Sequence, residues 1–462
     1  PLLEQVAKLT GGRVLPEDVR IRGAGERTGP EERFGGSYLF RNTDAFQAEC
    51  QGWCPQDDPL YLSLPTFLLF SEGRTTGWIL DSPVTQHWEL GSPAVLEGEG
   101  ELPVLTWVPG PTPSEVAKQR HALWGAPARW PRWAFGWQQS RWGWSTDEAV
   151  AAVAEGYRSR GWPIAGIWLD IQAMDGFRSF TWEPSAYDGI LPLLADLEAD
   201  GIRAVAIVDP GLKQDEGWEI WQQAVAGGHL LGEPYIGEVW PGAAAFPDFS
   251  RAETREWWGG LVQKPVGDGI DGLWIDMNEP SDFSGPEGTV PDSLPVDGNG
   301  SPATMAWGHN VYGSFEAEAT YEGLLAAAPD KRPFVLSRAG YLGLHRHAGV
   351  WTGDAPSTWA TLQTTVPMLL GLSVSGLPYV GSDVGGYCCD ASDELFARWL
   401  QVGLLSPFFR GHAANTARDQ EPWAFGEEVQ GIAGEIFHLR SALLPTFESL
   451  ADLAVTEGQP ML

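Results

Sequence analysis

Positive charge is what this sequence has least of. The chain of 462 residues carries 29 Lys and Arg against 61 Asp and Glu, a net charge of −32. A surface of that sign repels phosphate, so no nucleic-acid partner is expected; the charge itself favours solubility. Long apolar runs are also missing. Stretches such as FVLS and TFLLF are far too short to cross a bilayer, and no membrane association is expected. Cysteine is rare: Cys50, Cys54, Cys388 and Cys389 are too few in a chain this long for a disulfide scaffold. No CxxC pair or His-x₃₋₅-His spacing marks a structural zinc. The chain starts at Pro1 with neither an initiator Met nor a basic flank followed by an apolar core. The expectation is a chain lacking its natural N-terminus and located in the cytoplasm. With 43% hydrophobic and 19% charged residues it is globular, long enough for one large domain and a smaller one.

Against these shortages stand 24 tryptophans. Many flank strand-like runs, among them Trp137, Trp142, Trp144, Trp168, Trp240, Trp274 and Trp351. Indole offers a flat apolar face and one N–H. Core packing accounts for most of them, and stacking on the apolar faces of sugar rings is the functional reading for the rest.

Residues 1–115 alternate short apolar runs (SYLF, PTFLLF, TGWIL, VLTWV) with Gly, Pro and Asp, the pattern of an antiparallel β region. A linking helix is expected to begin over 114–120. From about residue 130 strands and helices alternate. The expected strands are WAFGWQQS (133–140), IAGIWLDI (164–171), RAVAIVDP (203–210), GLWIDMNE (272–279), PFVLSR (333–338), GVWTGD (349–354), PYVGSD (378–383) and PFFRGH (407–412). Helices are expected over 146–161, capped by Thr146 and Gly161, over 392–405 behind Ser392, and over 426–447. Short apolar strands alternating with helices imply a parallel sheet covered on both faces. Eight units over roughly 300 residues fit a (β/α)₈ TIM barrel of the α/β class. An open doubly wound sheet is the rival, but no GxGxxG follows a strand.

The strand ends are polar: Gln138 and Gln139, Asp170, Asp209, Asp276, Arg338, Asp354, Asp383, then Arg410 and His412. Closure into a barrel brings these ends to one face, where this fold carries its sites. Any one Asp can merely cap the next helix; their repetition around a ring favours chemistry. A metal site needs closely converging ligands, and phosphoryl transfer needs a glycine-rich loop with a lysine, which is missing. Glycoside cleavage needs one ionised and one protonated carboxyl flanking a bond, with nearby arginine favouring the ionised form. The ring suits glycoside cleavage best. A carbohydrate-binding protein without catalysis and a metal-dependent hydrolase are the alternatives.

The segment WIDMNEP (274–280) resembles the signature of family-31 glycoside hydrolases, the α-glucosidase family. Further matches follow in order between Arg22 and Leu462: GERTGPEERFGGSYLFRNTD, DPLYLSLPTFLL, WQQSRWGW, LDIQAMDGFRSFTWEP, IVDPGLKQDEGW, PYIGEVWPG, FPDFS, SRAGY, WTGDAPSTW, GSDVGGY, PFFRGH and QEPWAFG. The resemblance implies a (β/α)₈ barrel with β domains before and after it. It divides the chain into a partial N-terminal β-sandwich-like domain (1–115), a barrel with insertions after its third and fourth strands (116–455), and the start of a truncated C-terminal β domain (456–462). It places the nucleophile on Asp276 and the acid/base on Asp354. Asp44, Asp170, Arg338 and His412 fall on sugar-binding positions. Ile171, Asp209, Trp240, Trp274, Met277, Trp351 and Tyr387 fall on the pocket wall, and Asp383 and Arg410 on supporting positions. It implies no metal and no organic cofactor.

The activity so implied is that of a retaining exo-α-glucosidase acting on a small oligosaccharide or α-glucoside. Another α-glycoside (an α-xyloside or α-galactoside), transglycosylation, or a catalytically weak binding fragment are the alternatives, and a homo-oligomer is left open. Ala173 stands where the subgroup usually has a bulky aromatic, which implies a wider entrance. Ala355 replaces the usual Asn after the acid/base. The family's placement of both loops beside the pocket implies free thiols at Cys50, Cys54, Cys388 and Cys389, with a disulfide clamp between the two loops as the alternative.

Overall fold

The runs GIWL and GLWI are buried along their whole length, as strands covered on both faces must be. In the computed structural model, which describes residues 19–91, 95–98 and 104–462, they belong to a ring of eight parallel strands. These are β1 (Gln138–Gln139), β2 (Gly166–Leu169), β3 (Arg203–Val208), β4 (Gly272–Ile275), β5 (Val335–Ser337), β6 (Gly349–Trp351), β7 (Val380–Gly381) and β8 (Arg410–Gly411). They pair in the order β7-β6-β5-β4-β3-β2-β1-β8. Phe408 N donates to Val380 O and Val384 N to Arg410 O, closing β7 onto β8. The sheet is therefore a TIM barrel.

Register sorts the apolar residues into two layers. Val205 lies opposite Trp168, and Ile207 opposite Trp274. Because side chains alternate along a strand, Trp168, Val205, Ile207, Trp274, Leu336 and Trp351 share the barrel lumen. Their neighbours Ile167, Leu169, Val208, Leu273, Ile275 and Val350 pack against the outer helices. Packing thus claims many of the tryptophans, as the sequence suggested. Trp130 closes the floor, stacked on Tyr379 with ring centroids 4.5 Å apart.

Three local expectations change. The apolar half of 133–140 is not strand: Arg132–Phe135 forms a 3₁₀ turn behind Pro131, and Ala134 and Phe135 plug the barrel floor. No helix joins β5 to β6, only the turn Leu344–Arg346. The last helix, Glu427–Glu457, runs well past 447 despite Pro445, burying Phe447, Ala451 and Ala454 under the floor. Residues 456–462 accordingly contain no strand. Gly458 takes a left-handed φ of 68° that ends the helix, and Leu462 N donates to Ser373 Oγ at 3.3 Å. The helices Asp147–Arg160 and Asp393–Leu405 begin at the side-chain caps Thr146 and Ser392 as expected.

The N-terminal region forms two antiparallel sheets. One contains Arg20–Gly23, Thr66–Ser71, Arg74–Asp81 and Val104–Gly110; the other contains Ser37–Phe40, Gln86–Glu89 and Val95–Gly98. Trp88 joins them, 4.3 Å from Phe40 and 5.6 Å from Phe67 between ring centroids. The linking helix is Pro113–Trp124. Between the sheets, residues 41–64 cross the C-terminal face of the barrel, pinned where Asn42 N donates to Asn310 Oδ1 at 2.8 Å. Insertions follow β3, as the small sheet Leu212–Lys213, Gly237–Val239 and Gly242–Ala245, and β4, as the hairpin Pro295–Val296 and Ala303–Thr304.

Arg440 ties the floor together. Its buried guanidinium donates to the carbonyls of Phe135, Leu404 and Pro407. Arg440→Met strands all three acceptors in an apolar layer and is predicted to cost about 3 kcal/mol, read as a lower urea midpoint; an unchanged midpoint would show that the floor holds without it.

Candidate active site

Asp276 is the first residue beyond β4, and its Oδ1 accepts from Met277 N at 2.8 Å. Met277 takes a φ of 59°, which turns the chain sharply at the strand end. The neighbouring strand β5 delivers Arg338, only 2% exposed. Its Nε lies 3.0 Å from Asp276 Oδ1 and 2.7 Å from Glu279 Oε1, and its Nη2 lies 2.8 Å from Glu279 Oε2. Nη2 also approaches Asp44 Oδ2 at 3.6 Å, and Nη1 approaches Asp354 Oδ2 at 4.0 Å. One guanidinium thus gathers carboxylates from two strand ends, those of β4 and β6, and from the N-terminal crossing segment. The Tyr61 ring lies 5.0 Å beneath it, and Asp354 N donates to Tyr61 Oη at 3.3 Å.

The two central acids are unequal. Burial raises the pKa of both, and Arg338 opposes burial in both. Asp276 touches the guanidinium and accepts a backbone N–H, which offset part of the rise that burial and the like charges of Glu279 and Asp44 cause. Asp354 stands farther from Arg338 and feels Asp276, Asp44 and Asp383 as like charges, and it is driven well above the carboxylate range.

The opposite side is built from β2, β7 and β8. Asp170, raised to about 7 chiefly by burial, places Oδ2 3.8 Å from His412 Nε2. Burial holds His412 neutral; its ring stacks on Tyr387 at 5.1 Å and meets Trp274 edge-on at 5.2 Å. Beneath them, Arg410 Nε and Nη2 donate to Asp383 Oδ1 at 3.0 and 2.8 Å. The Arg410 guanidinium carbon sits 4.6 Å from both the Trp168 and Trp274 rings. Burial raises Asp383 to about 6 against the pull of Arg410.

These groups enclose a tight inner space of about 40 Å³, lined by Asp170, Ile171, Trp274, Asp276, Asp354 and His412 among others. It opens into a vestibule of about 440 Å³. Trp142, Trp240 and Phe283 form one aromatic flank, with successive centroids 5.5 and 5.3 Å apart, and Phe46 stands on the rim. Most residues singled out from the sequence meet here: Asp44, Met277, Arg338 and Tyr387 join those named. Asp209, Trp351, Asp383 and Arg410 do not line the space. Asp383 and Arg410 were expected as support and stand behind it. Asp209 and Trp351 were expected in the wall, but Trp351 fills the lumen 5.5 Å from Trp274, and Asp209 is buried outside the lining, with its backbone carbonyl accepting from Ser179 Oγ at 2.9 Å.

Sequence reading missed Tyr61, Phe46 and Phe283, although the last two lie within seven residues of Asp44 and Asp276. Glu279 is the bidentate partner of Arg338. Asn278 and Asp282 shape loops. Asn278 bridges Ser337 Oγ and Ala339 N at 3.1 and 2.9 Å, and Asp282 accepts from Tyr235 Oη and Glu238 N at 2.7 and 2.9 Å. Ala173 does not widen the entrance. It closes the 3₁₀ turn Ile171–Ala173, which points it into the layer between sheet and helices. The cysteines follow neither reading: no clamp joins the two loops, and only two of the four remain free. Gln47 N donates to Gly52 O at 2.9 Å, folding a tight turn that pairs Cys50 with Cys54 across a Cα separation of 5.6 Å. Cys388 and Cys389 remain thiols.

Comparison with known proteins agrees with this geometry. The family model described as the glycosyl hydrolases family 31 TIM-barrel domain matches residues 127–450. The chain is 38% identical to alpha-glucosidase 2 of Bacillus thermoamyloliquefaciens, over 97% of its own length and 57% of that protein's. It is 31% identical to an alpha-glucosidase of Saccharolobus solfataricus, over 100% of its own length and 70% of that protein's. The crystal structure of a family 31 alpha-glucosidase from Bacteroides thetaiotaomicron superposes with a TM-score of 0.87 at 33% identity, covering 97% of this chain and 74% of that one. The chain therefore spans little more than half of the first of these relatives.

Two predictions follow from the buried groups. Denatured without reductant, the chain should show two titratable thiols, and four after reduction; four without reduction would contradict the Cys50–Cys54 pair. Glu26, buried beside the backbone of Tyr61 and Leu62, is raised to about 8 by burial. A carboxyl whose folded pKa exceeds its unfolded value holds its proton in the folded state, so stability falls as pH rises between those two values. His309, His345 and His347, each lowered to about 4 by burial, act in the opposite sense but only below about pH 6.5. The melting temperature should therefore drop from pH 6.5 to 8.5, and Glu26→Gln should flatten that drop, stabilising the chain by about 1–3 kcal/mol at pH 8.5. An equal slope in both proteins would remove Glu26 as its source.

Proposed function

Because the chain belongs to glycosyl hydrolase family 31, we propose that it is a retaining, exo-acting α-glucosidase that removes a terminal α-linked glucose from the non-reducing end of an oligosaccharide or simple α-glucoside. The observation that carries this reading is the unequal hold of Arg338 on Asp276 and Asp354. It leaves one carboxylate available for attack and the other protonated, the division of labour that double displacement requires.

In the first step Asp276 Oδ attacks the anomeric carbon while Asp354 gives its proton to the departing glycosidic oxygen. The products are a glycosyl ester on Asp276 and the leaving alcohol. In the second step Asp354, now ionised, takes a proton from water; the water oxygen attacks the same carbon and Asp276 is released. Two inversions return the α configuration. Asp44, Asp170 and neutral His412 are placed to hydrogen-bond sugar hydroxyls, and the indole of Trp274 gives the ring an apolar face. The inner space is small and closed below by the lumen tryptophans, which suits a single terminal ring. The aromatic flank of the vestibule suits whatever is attached to that ring. It also suits a sugar acceptor in place of water, so transglycosylation is the second reading.

The test is release of p-nitrophenol from p-nitrophenyl α-glucoside. Asp276→Ala should lose on the order of 10⁴-fold or more, and Asp354→Ala about 10²–10⁴-fold. The pH profile of the parent should be bell-shaped. Rate is lost as pH falls and Asp276 takes a proton, and lost again as pH rises and Asp354 gives one up. Asp354→Ala should keep the acid limb and lose the alkaline one. An alkaline limb that survives in Asp354→Ala would unseat that residue as the acid, and no release by the parent chain would defeat the reading as a whole.

A further inference from the structure

Pairing of Cys50 with Cys54 leaves two thiols, and they are neighbours. Adjacent side chains on extended backbone point to opposite sides. Cys389 instead takes a φ of 68°, and the Cys388 and Cys389 sulfurs lie 3.5 Å apart. Cys388 lines the vestibule. Cys389 stands half-exposed at the rim, with its sulfur 3.7 Å from Gln51 Oε1, while the Cys388 sulfur is 3.9 Å from the carbonyl of Cys50. Nothing in the proposed reaction uses either thiol.

We propose that Cys388 and Cys389 form a two-sulfur site for a soft thiophilic ligand of the trivalent-arsenical class, and that a ligand held there obstructs the mouth of the vestibule. Bonds of about 2.3 Å, the length of a thiolate bond to zinc, drawn to sulfurs 3.5 Å apart enclose about 99°. A three-coordinate pyramidal centre accepts that angle. Tetrahedral zinc asks for a wider one and for further ligands, and among the described residues no group of three His, Cys, Asp or Glu converges as metal ligands would. Closing the pair as a disulfide would instead require the sulfurs to approach to about 2.05 Å.

The step balances without an oxidant. Each thiol gives up its proton, two S–As bonds form, and the oxygen of the arsenoxide leaves as water. Burial raises the Cys388 thiol, so Cys389 at the rim reacts first and Cys388 closes the ring intramolecularly, at high effective concentration. Ser357 N donates to Cys388 O at 2.9 Å and Tyr387 N to Ala355 O at 2.6 Å, which ties the thiol loop to the segment that follows Asp354. Interference with turnover rests on the glucosidase reading; formation of the adduct does not.

The probe is phenylarsine oxide added in equimolar amount to the unreduced chain. Intact mass should show one phenylarsine per chain. The adduct should map to the 388–389 peptide, survive a monothiol wash and leave with dimercaptopropanol. The KM for p-nitrophenyl α-glucoside should rise at least tenfold. Cys389→Ser should lose the wash-resistant adduct with unchanged basal turnover. Cys389→Gly, which the left-handed backbone favours, should do the same if the serine variant folds poorly. A wash-resistant adduct in these variants, an adduct on Cys50 or Cys54, or an adduct at 388–389 that leaves KM unchanged would each overturn the proposal. Absence of turnover in the untreated chain would count against the glucosidase reading alone, and the mass measurement would still decide the adduct.

Discussion

The site depends on one buried cation. Arg338 stands among four carboxylates, Asp44, Asp276, Glu279 and Asp354, all within 4.0 Å. Burying a guanidinium is costly unless it is paired and hydrogen-bonded, and Glu279 supplies that pairing from the same loop as Asp276. Once Glu279 has neutralised Arg338, the other three acids compete for a field already spent. They cannot all ionise in a space this dry, so at least one keeps a proton. The cluster is therefore frustrated as an ion network. Distance from the guanidinium ranks its members, with Asp276 at 3.0 Å, Asp44 at 3.6 Å and Asp354 at 4.0 Å.

A second cation fixes the other side from below. Arg410 spends its charge on Asp383 and on the faces of Trp168 and Trp274. Neither partner lines the cavity, yet together they hold Trp274 and the end of β8, and so place His412. The abundance of tryptophan follows from this construction. An aromatic lumen can carry a buried guanidinium through cation–π contact where an aliphatic one could not, and one of the same indoles, Trp274, lines the inner cavity.

What the sequence revealed was what local chemistry encodes. Strand runs such as GLWI, caps such as Thr146 and Ser392, and the polar residue at each strand end were legible because each is decided within a few residues. Features decided by distant packing were not. Arg132–Phe135 reads as strand by composition and becomes a turn because the barrel floor needs a plug. The last helix passes Pro445 because Phe447, Ala451 and Ala454 find burial beyond it. Ala173 reads as a gap at an entrance, but a 3₁₀ turn aims it away. Cys50 and Cys54 pair with each other because a bridge between Gln47 and Gly52 folds their loop back, and spacing alone does not show that. Tyr61 carried no local signal, since its role exists only where the crossing segment meets β6.

The crossing segment is joined to the site residues themselves. Asp44, Phe46 and Tyr61 reach the barrel from between the strands of the N-terminal sheets, and Trp53 N donates to the carbonyl of Asp354 itself at 2.9 Å. The Trp53 indole N–H adds a bond of 2.8 Å to Thr352 O. The backbone on both sides of Gly353 is therefore held by residues outside the barrel. Gly353 takes a left-handed φ of 60°, and a Cβ there would collide with the Tyr61 ring. Glycine at that position and tyrosine at 61 thus form one packing decision made across two domains. Residues 41–64 thus supply hydrogen bonds to the Asp354 backbone that come from outside the barrel. The N-terminal β region therefore helps to shape the backbone that carries Asp354.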